Sequence, residues 1–125
     1  MRFLSFRHDG KDSWGVAVEE GVIDLGARHG GSLHQVLQDD ALAGMQDAAT
    51  ALAADLPLSE ISYLPPVTSP EKIACIGVNY ANRNAEYKDN SADPEWPSLF
   101  MRTIDSFTGH AEPLWRPPES HQLDY

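Results

Sequence analysis

The chain has 125 residues, 42% hydrophobic and 22% charged, with 9 Lys and Arg against 19 Asp and Glu and a net charge of −10. That acidic balance excludes a nucleic-acid partner, which needs clustered Lys and Arg, and a basic helix lying on a membrane surface. No apolar run approaches the roughly 20 residues needed to cross a bilayer. Arg2, Ser5, Arg7 and His8 interrupt the start, so no apolar signal-peptide core forms there. Cys75 stands alone, which leaves neither an intrachain disulfide nor a Cys-based zinc site. The expectation is a cytoplasmic protein acting on small molecules or on other proteins.

Glycine and proline divide the chain: seven of the nine Gly lie within residues 10–44, and all nine Pro lie within residues 57–125. This predicts a small α+β domain over residues 1–64 and a second domain from residue 65 to residue 125. Phe3–Phe6 is strand-like, and His8-Asp9-Gly10 is a turn signal. Trp14, Val16 and Val18 alternate with Gly15 and Ala17, so one side of the next strand faces a core. Glu19-Glu20-Gly21 predicts another turn, and Val22–Leu25 a third strand, which completes a β-meander. After Gly30-Gly31, Ser32 is an N-cap for a helix with Leu33, Val36 and Leu37 on one face. Leu42, Met45, Ala49 and Leu52 have helical spacing, and Pro57 closes that helix.

The second domain follows Leu64-Pro65-Pro66. Lys72–Val78 is nearly all apolar, as in a strand covered on both faces. Asn79 can cap a helix to about Tyr87, on which Arg83 and Glu86 share a face. Lys88–Pro97 is polar and bounded by proline, and reads as an exposed loop that could act as a lid. Ser98–Arg102 is a further strand candidate, Thr108-Gly109-His110 a turn and Pro113–Arg116 a short extended run. Residues 70–125 offer too little to bury both faces of the Ile73–Val78 strand and would leave open strand edges. The expectation is the front part of a longer protein.

The string Leu64-Pro65-Pro66-Val67 followed by Lys72-Ile73-Ala74-Cys75-Ile76-Gly77-Val78-Asn79-Tyr80 resembles the fumarylacetoacetate hydrolase family. Glu86 closes the family's N-Y-x-x-H-x-x-E pattern. Pro97–Arg102 resembles its P-x-L-F-x-K, and Ser106–Gly109 through Pro113-Leu114 resembles its S-x-x-G…P-I segment. Pro118–Tyr125 resembles the run that leads into its metal site. The resemblance implies a catalytic domain of mixed β-roll architecture, with residues 65–125 as its first part. It also implies a divalent cation, Mg²⁺ or else Mn²⁺ or Ca²⁺, that stabilises an enolate of a small 2-oxo acid or β-diketo acid. Oxygen ligands suit such an ion. The family's Glu-x-Glu and later Asp ligands are expected after Tyr125, with none inside this chain. A homo-oligomer is the usual assembly of the family. The parent protein is expected to be the enzyme, and these residues alone to be inactive.

Two positions depart from the family pattern. Arg83 stands where the family has His, and a guanidinium stays protonated and cannot act as a general base, although it can clamp a carboxylate. Hydrolysis by a His–Glu pair is therefore disfavoured relative to isomerisation, tautomerisation or decarboxylation. Arg102 replaces a Lys, so a point charge becomes a planar fork. The candidate set is Glu86 as the acid/base or water-positioning group, with Arg83, Tyr80, Asn79 and Arg102 as substrate contacts. Taken without the resemblance, Arg83 and Glu86 are an ordinary surface pair, Tyr80 is a core aromatic and Cys75 an inert core thiol. The rival function is a non-catalytic scaffold or oligomerisation module that lacks a metal site.

Overall fold

The computed structural model describes residues 1–77 and 95–121. Two compact units divide the chain: Met1–Ser69 with Phe107–Tyr125, and Pro70–Ser106.

The first unit is built on an antiparallel meander, β1 (Arg2–His8), β2 (Lys11–Val18) and β3 (Gly21–Asp24). A short strand, β4 (Ser62–Leu64), joins the free side of β1, giving the order β3-β2-β1-β4. The sequence pattern marks the first three strands and not β4, whose three residues are too few to show alternation. Register is fixed by pairs such as Ser5 with Trp14 and Leu64, and Val16 with Phe3 and Ile23.

This register separates two apolar sets. Trp14, Val16, Ile23 and Leu25 pack with Leu33, Val36 and Ala49 from the helices. Leu4, Phe6 and Val22 pack on the opposite side with Leu56, Leu58, Ile61 and Tyr63. The sheet is therefore buried on both faces, and neighbouring residues of β1 belong to different cores.

Helix α1 (Leu25–His29) is absent from the sequence reading, because one and a half turns cannot display a periodicity. Its signal is local: the Asp24 carboxylate accepts from the Ala27 N–H at 2.8 Å, a side-chain N-cap. Gly30 ends it at φ 71°, a conformation glycine adopts without steric cost. The carbonyl of Gly30 accepts the indole N–H of Trp14 at 3.0 Å, so the largest buried side chain has its polar atom satisfied. Helix α2 (Leu33–Gln38) has the expected Ser32 cap and buries Leu33 and Val36. Leu37 departs from the predicted face and is 47% exposed.

Helix α3 (Leu42–Ala49) presents Leu42, Met45 and Ala49 to the core, as their spacing requires. It stops well before Pro57. The backbone of residues 55–56 is used elsewhere: Asp55 N–H donates to Val22 O at 2.8 Å, and Val22 N–H to Leu56 O at 2.7 Å. This bridge covers the outer edge of β3. Asp55 also receives both ends of the Arg28 guanidinium, at 2.5 and 2.6 Å, and the Asp24 backbone N–H at 2.8 Å. Those hydrogen bonds, the Arg28 fork foremost, hold the Asp55 carboxyl below the usual carboxylate range.

The edge of β4 is approached by the returning segment at Gly109, where a Cβ would collide with the Tyr63 carbonyl oxygen. The neighbouring His110 ring stands edge-on to Tyr63 at 5.3 Å. Ser5 is buried between the apolar residues of β1 and donates its hydroxyl to Pro66 O at 2.7 Å.

The second unit contains an antiparallel pair, β5 (Ile73–Gly77) and β6 (Ser98–Arg102). Both were expected as strands, but β5 is not covered on both faces among the described residues. Half-buried Ile73, Cys75 and Gly77 alternate with exposed Ala74 and Ile76. The α+β class and the antiparallel meander of the first unit agree with the sequence reading. No described helix is long and apolar enough to cross a membrane.

Two outcomes follow for stability. Phe6→Ala empties the centre of one face and should cost about 3–5 kcal/mol, read from Trp14 fluorescence during denaturant unfolding. Asp55→Asn should lower stability at pH 7 by about 1 kcal/mol. A depressed carboxyl contributes stability above its unfolded pKa of about 3.9 and loses it as pH falls through the folded value. The difference between wild type and Asp55→Asn should therefore shrink toward pH 3, measured by denaturation midpoints at the two pH values.

Candidate functional site

Asn79, Tyr80, Arg83 and Glu86 fall outside the described residues, as does the candidate lid up to residue 94. Glu95, Trp96 and Pro97, at the end of that loop, are exposed. Arg102 is described, and the β5–β6 hairpin determines its setting.

Alternation along β6 puts Ser98, Phe100 and Arg102 on one face, opposite Gly77, Cys75 and Ile73 of β5. Ala74, Ile76, Leu99 and Met101 occupy the other face. Of these, Ile76, Leu99 and Met101 are 58–74% exposed. The Arg102 guanidinium lies over the Phe100 ring, 5.9 Å from its centroid, within the range of a cation–π contact. Phe100 is in turn seated against β5. A Cβ on Gly77 would lie 3.3 Å from Phe100 Cε1, so a side chain there would press on the ring.

Gly77, Phe100 and Arg102 thus form a stack across the hairpin, and Gly77 precedes the Asn79-Tyr80 motif by two positions. Sequence reasoning singled out Arg102 but not Phe100. The signal was present in Phe-x-Arg, whose spacing of two places both side chains on one face of a strand. Cys75 is half-buried on that face opposite Phe100 and is a free thiol.

Among the described residues no group of three His, Cys, Asp or Glu could hold a metal ion. Within the first unit a crevice of about 300 Å³ is lined by Phe3, Leu58, Tyr63, Pro65 and His110, among others. It contains none of the candidate residues.

Comparison with known proteins agrees with the motif reading. Residues 72–125 match the family described as fumarylacetoacetate (FAA) hydrolase C-terminal. A rat protein, mitochondrial oxaloacetate tautomerase Fahd2a, is 40% identical over 81 residues, which cover 62% of this chain and 25% of the relative. The human oxaloacetate tautomerase FAHD2A, also mitochondrial, is 36% identical over 86 residues, covering 66% and 27%. The Xenopus laevis oxaloacetate tautomerase fahd2 is 33% identical over 135 residues, covering 100% and 41%. A solved structure described as an HpcE protein, from Mycobacterium smegmatis, superposes with a TM-score of 0.67 at 22% identity, covering 94% of this chain and 41% of that one.

Residues 72–125 thus match the fumarylacetoacetate hydrolase family, and the chain shares the fold of the HpcE protein over 94% of its length. It spans between a quarter and two fifths of the length of these relatives.

Titration of residues 1–125 with Mg²⁺ in a calorimeter should show no saturable binding up to the low-millimolar range. Saturable binding with single-site stoichiometry would assign carboxylates of this chain as a ligand set.

Proposed function

We propose that the protein containing this chain interconverts the keto and enol forms of a small 2-oxo dicarboxylic acid such as oxaloacetate. The observation that carries this reading is the similarity to three proteins named oxaloacetate tautomerases. The Arg at position 83, where the family's pattern has His, supports it independently. A fixed guanidinium cannot take a proton from water, so a hydrolytic role loses its base, whereas enolisation needs no activated water.

In this reading Arg83 and Arg102 each take a substrate carboxylate, through paired N–H donors in the plane of the guanidinium. Asn79 and Tyr80 shape the entry to the site. The Glu86 carboxylate removes a proton from C3 of the keto form; the C–H electron pair forms the C2–C3 double bond, the C2–O π pair moves onto the oxygen, and that oxygen takes up a proton to give the enol, with every transfer reversed in the other direction. A divalent cation, Mg²⁺ by preference, belongs to the proposal. No group of three candidate ligands lies among the described residues, and no step is derived through it. Self-association and a cytoplasmic location belong to the proposal as well. Sedimentation velocity and cell fractionation test these two, and recovery in a mitochondrial fraction would replace the cytoplasmic placement.

The decisive experiment is an ultraviolet assay of oxaloacetate enolisation with the full-length protein and Mg²⁺. Glu86→Gln should lower kcat by about 10²–10⁴-fold, because the proton acceptor is lost. Arg83→Ala should raise KM at least about tenfold through loss of a charge-assisted pair. Fast hydrolysis of acylpyruvates without tautomerase turnover would overturn the reading.

A further inference from the structure

We infer that Phe100 is a positioning residue for Arg102, holding its guanidinium as a carboxylate clamp on the Gly77 face of the β5–β6 hairpin. The inference rests on the 2-oxo acid reading above and deepens it, by naming what makes an exposed arginine an ordered binding group.

Three observations carry it. Strand alternation places Phe100 and Arg102 on the same face, so no rearrangement is needed to bring them together. The guanidinium is 5.9 Å from the ring centroid, and none of the ion pairs among the described residues involves it. The ring lies beside Gly77, where an added Cβ would come within 3.3 Å of Cε1, so the place the ring occupies depends on the absence of a side chain there. Gly77 does not have the positive φ of the turn glycines Gly10, Gly30 and Gly31, so its lack of a side chain matters here for room rather than for backbone freedom.

The chemistry distinguishes arginine from lysine at this position. A guanidinium uses its flat face on the aromatic ring and keeps the N–H donors along its edge for a carboxylate. An ammonium has no separate face and edge, and would have to divide one compact charge between ring and substrate. The pairing of Phe100 with arginine therefore favours a substrate that presents a planar carboxylate to the hairpin.

The test is a double-mutant cycle in the full-length protein, using malonate as the dicarboxylate probe, titrated calorimetrically in a Mg²⁺ buffer. Phe100→Leu should weaken malonate binding by about two- to fivefold, the amount expected for an exposed cation–π contact. Phe100→Tyr, which keeps an aromatic face, should restore it. In an Arg102→Ala background, Phe100→Leu should have no further effect. Phe100→Met takes the place of the Leu variant if circular dichroism shows a folding defect. In the oxaloacetate assay the same loss should appear in KM, with kcat changed by less than about twofold. An equal effect of Phe100→Leu in both backgrounds, or no effect in either, overturns the inference. Coupled binding without any tautomerase turnover would remove the proposed reaction and leave the Phe100–Arg102 clamp standing. Turnover with an uncoupled cycle would do the reverse.

Discussion

The first unit depends on one constraint, the burial of β1 on both faces. Leu4 and Phe6 look into one core, while Phe3 packs against the other and Ser5 is buried beside it. A one-residue slip would exchange Phe6 with Ser5 and place a hydroxyl in the apolar set beside Val22. Register is thus tied to composition at the centre of the strand, through Leu4, Ser5 and Phe6. The tie extends through β2, where Trp14 and Val16 sit on the helical side. From there it reaches the helices through the indole N–H on Gly30. The same logic explains the position of Asp55. Its carboxylate gathers Arg28 and the Asp24 N–H, so the chain leaving α3 is fixed alongside β3 rather than continuing as helix.

The second unit has a different balance. Its hairpin carries a polar and aromatic stack on one face and uncovered apolar side chains on the other. In such a two-stranded element the order of a single side chain is set by its neighbours on the same face rather than by a surrounding core. A strand-borne arginine with an aromatic neighbour two residues away is a simple way to obtain a directed charge from little structure.

Much of this was legible in the residues, for physical reasons that vary along the chain. β2 was readable because Trp14, Val16 and Val18 alternate over enough positions to define a face. α2 and α3 were readable from a Ser32 cap and from the spacing of Leu42, Met45 and Ala49. α1 and β4 were not, since elements this short depend on tertiary partners: Asp24 and Trp14 for α1, the free edge of β1 for β4. The family resemblance was legible in ordered motifs from Leu64 to Tyr125. Lys72–Val78 was readable as a strand from its apolar run, and the exposure of Ile76 agrees with the expectation that residues 70–125 supply too little to cover both of its faces. For the site, the charge at Arg102 was visible in the sequence. Its seat on Phe100 was not singled out, because strand spacing allows such a stack without requiring it.

The return of the chain at Gly109 has a consequence for assembly and for divergence. β1, β2 and β3 meet through hairpins between sequence neighbours, but Ser5 must find Leu64, and Gly109 can approach Tyr63 only after the excursion of residues 70–106. Contacts so distant in sequence form late, since the entropy of closing the intervening loop precedes any gain from docking. That entropy grows only logarithmically with loop length, so the excursion can lengthen or shorten between related chains at small thermodynamic cost. What cannot vary freely is the absence of a side chain at Gly109, the point where the late-arriving segment passes the backbone of Tyr63.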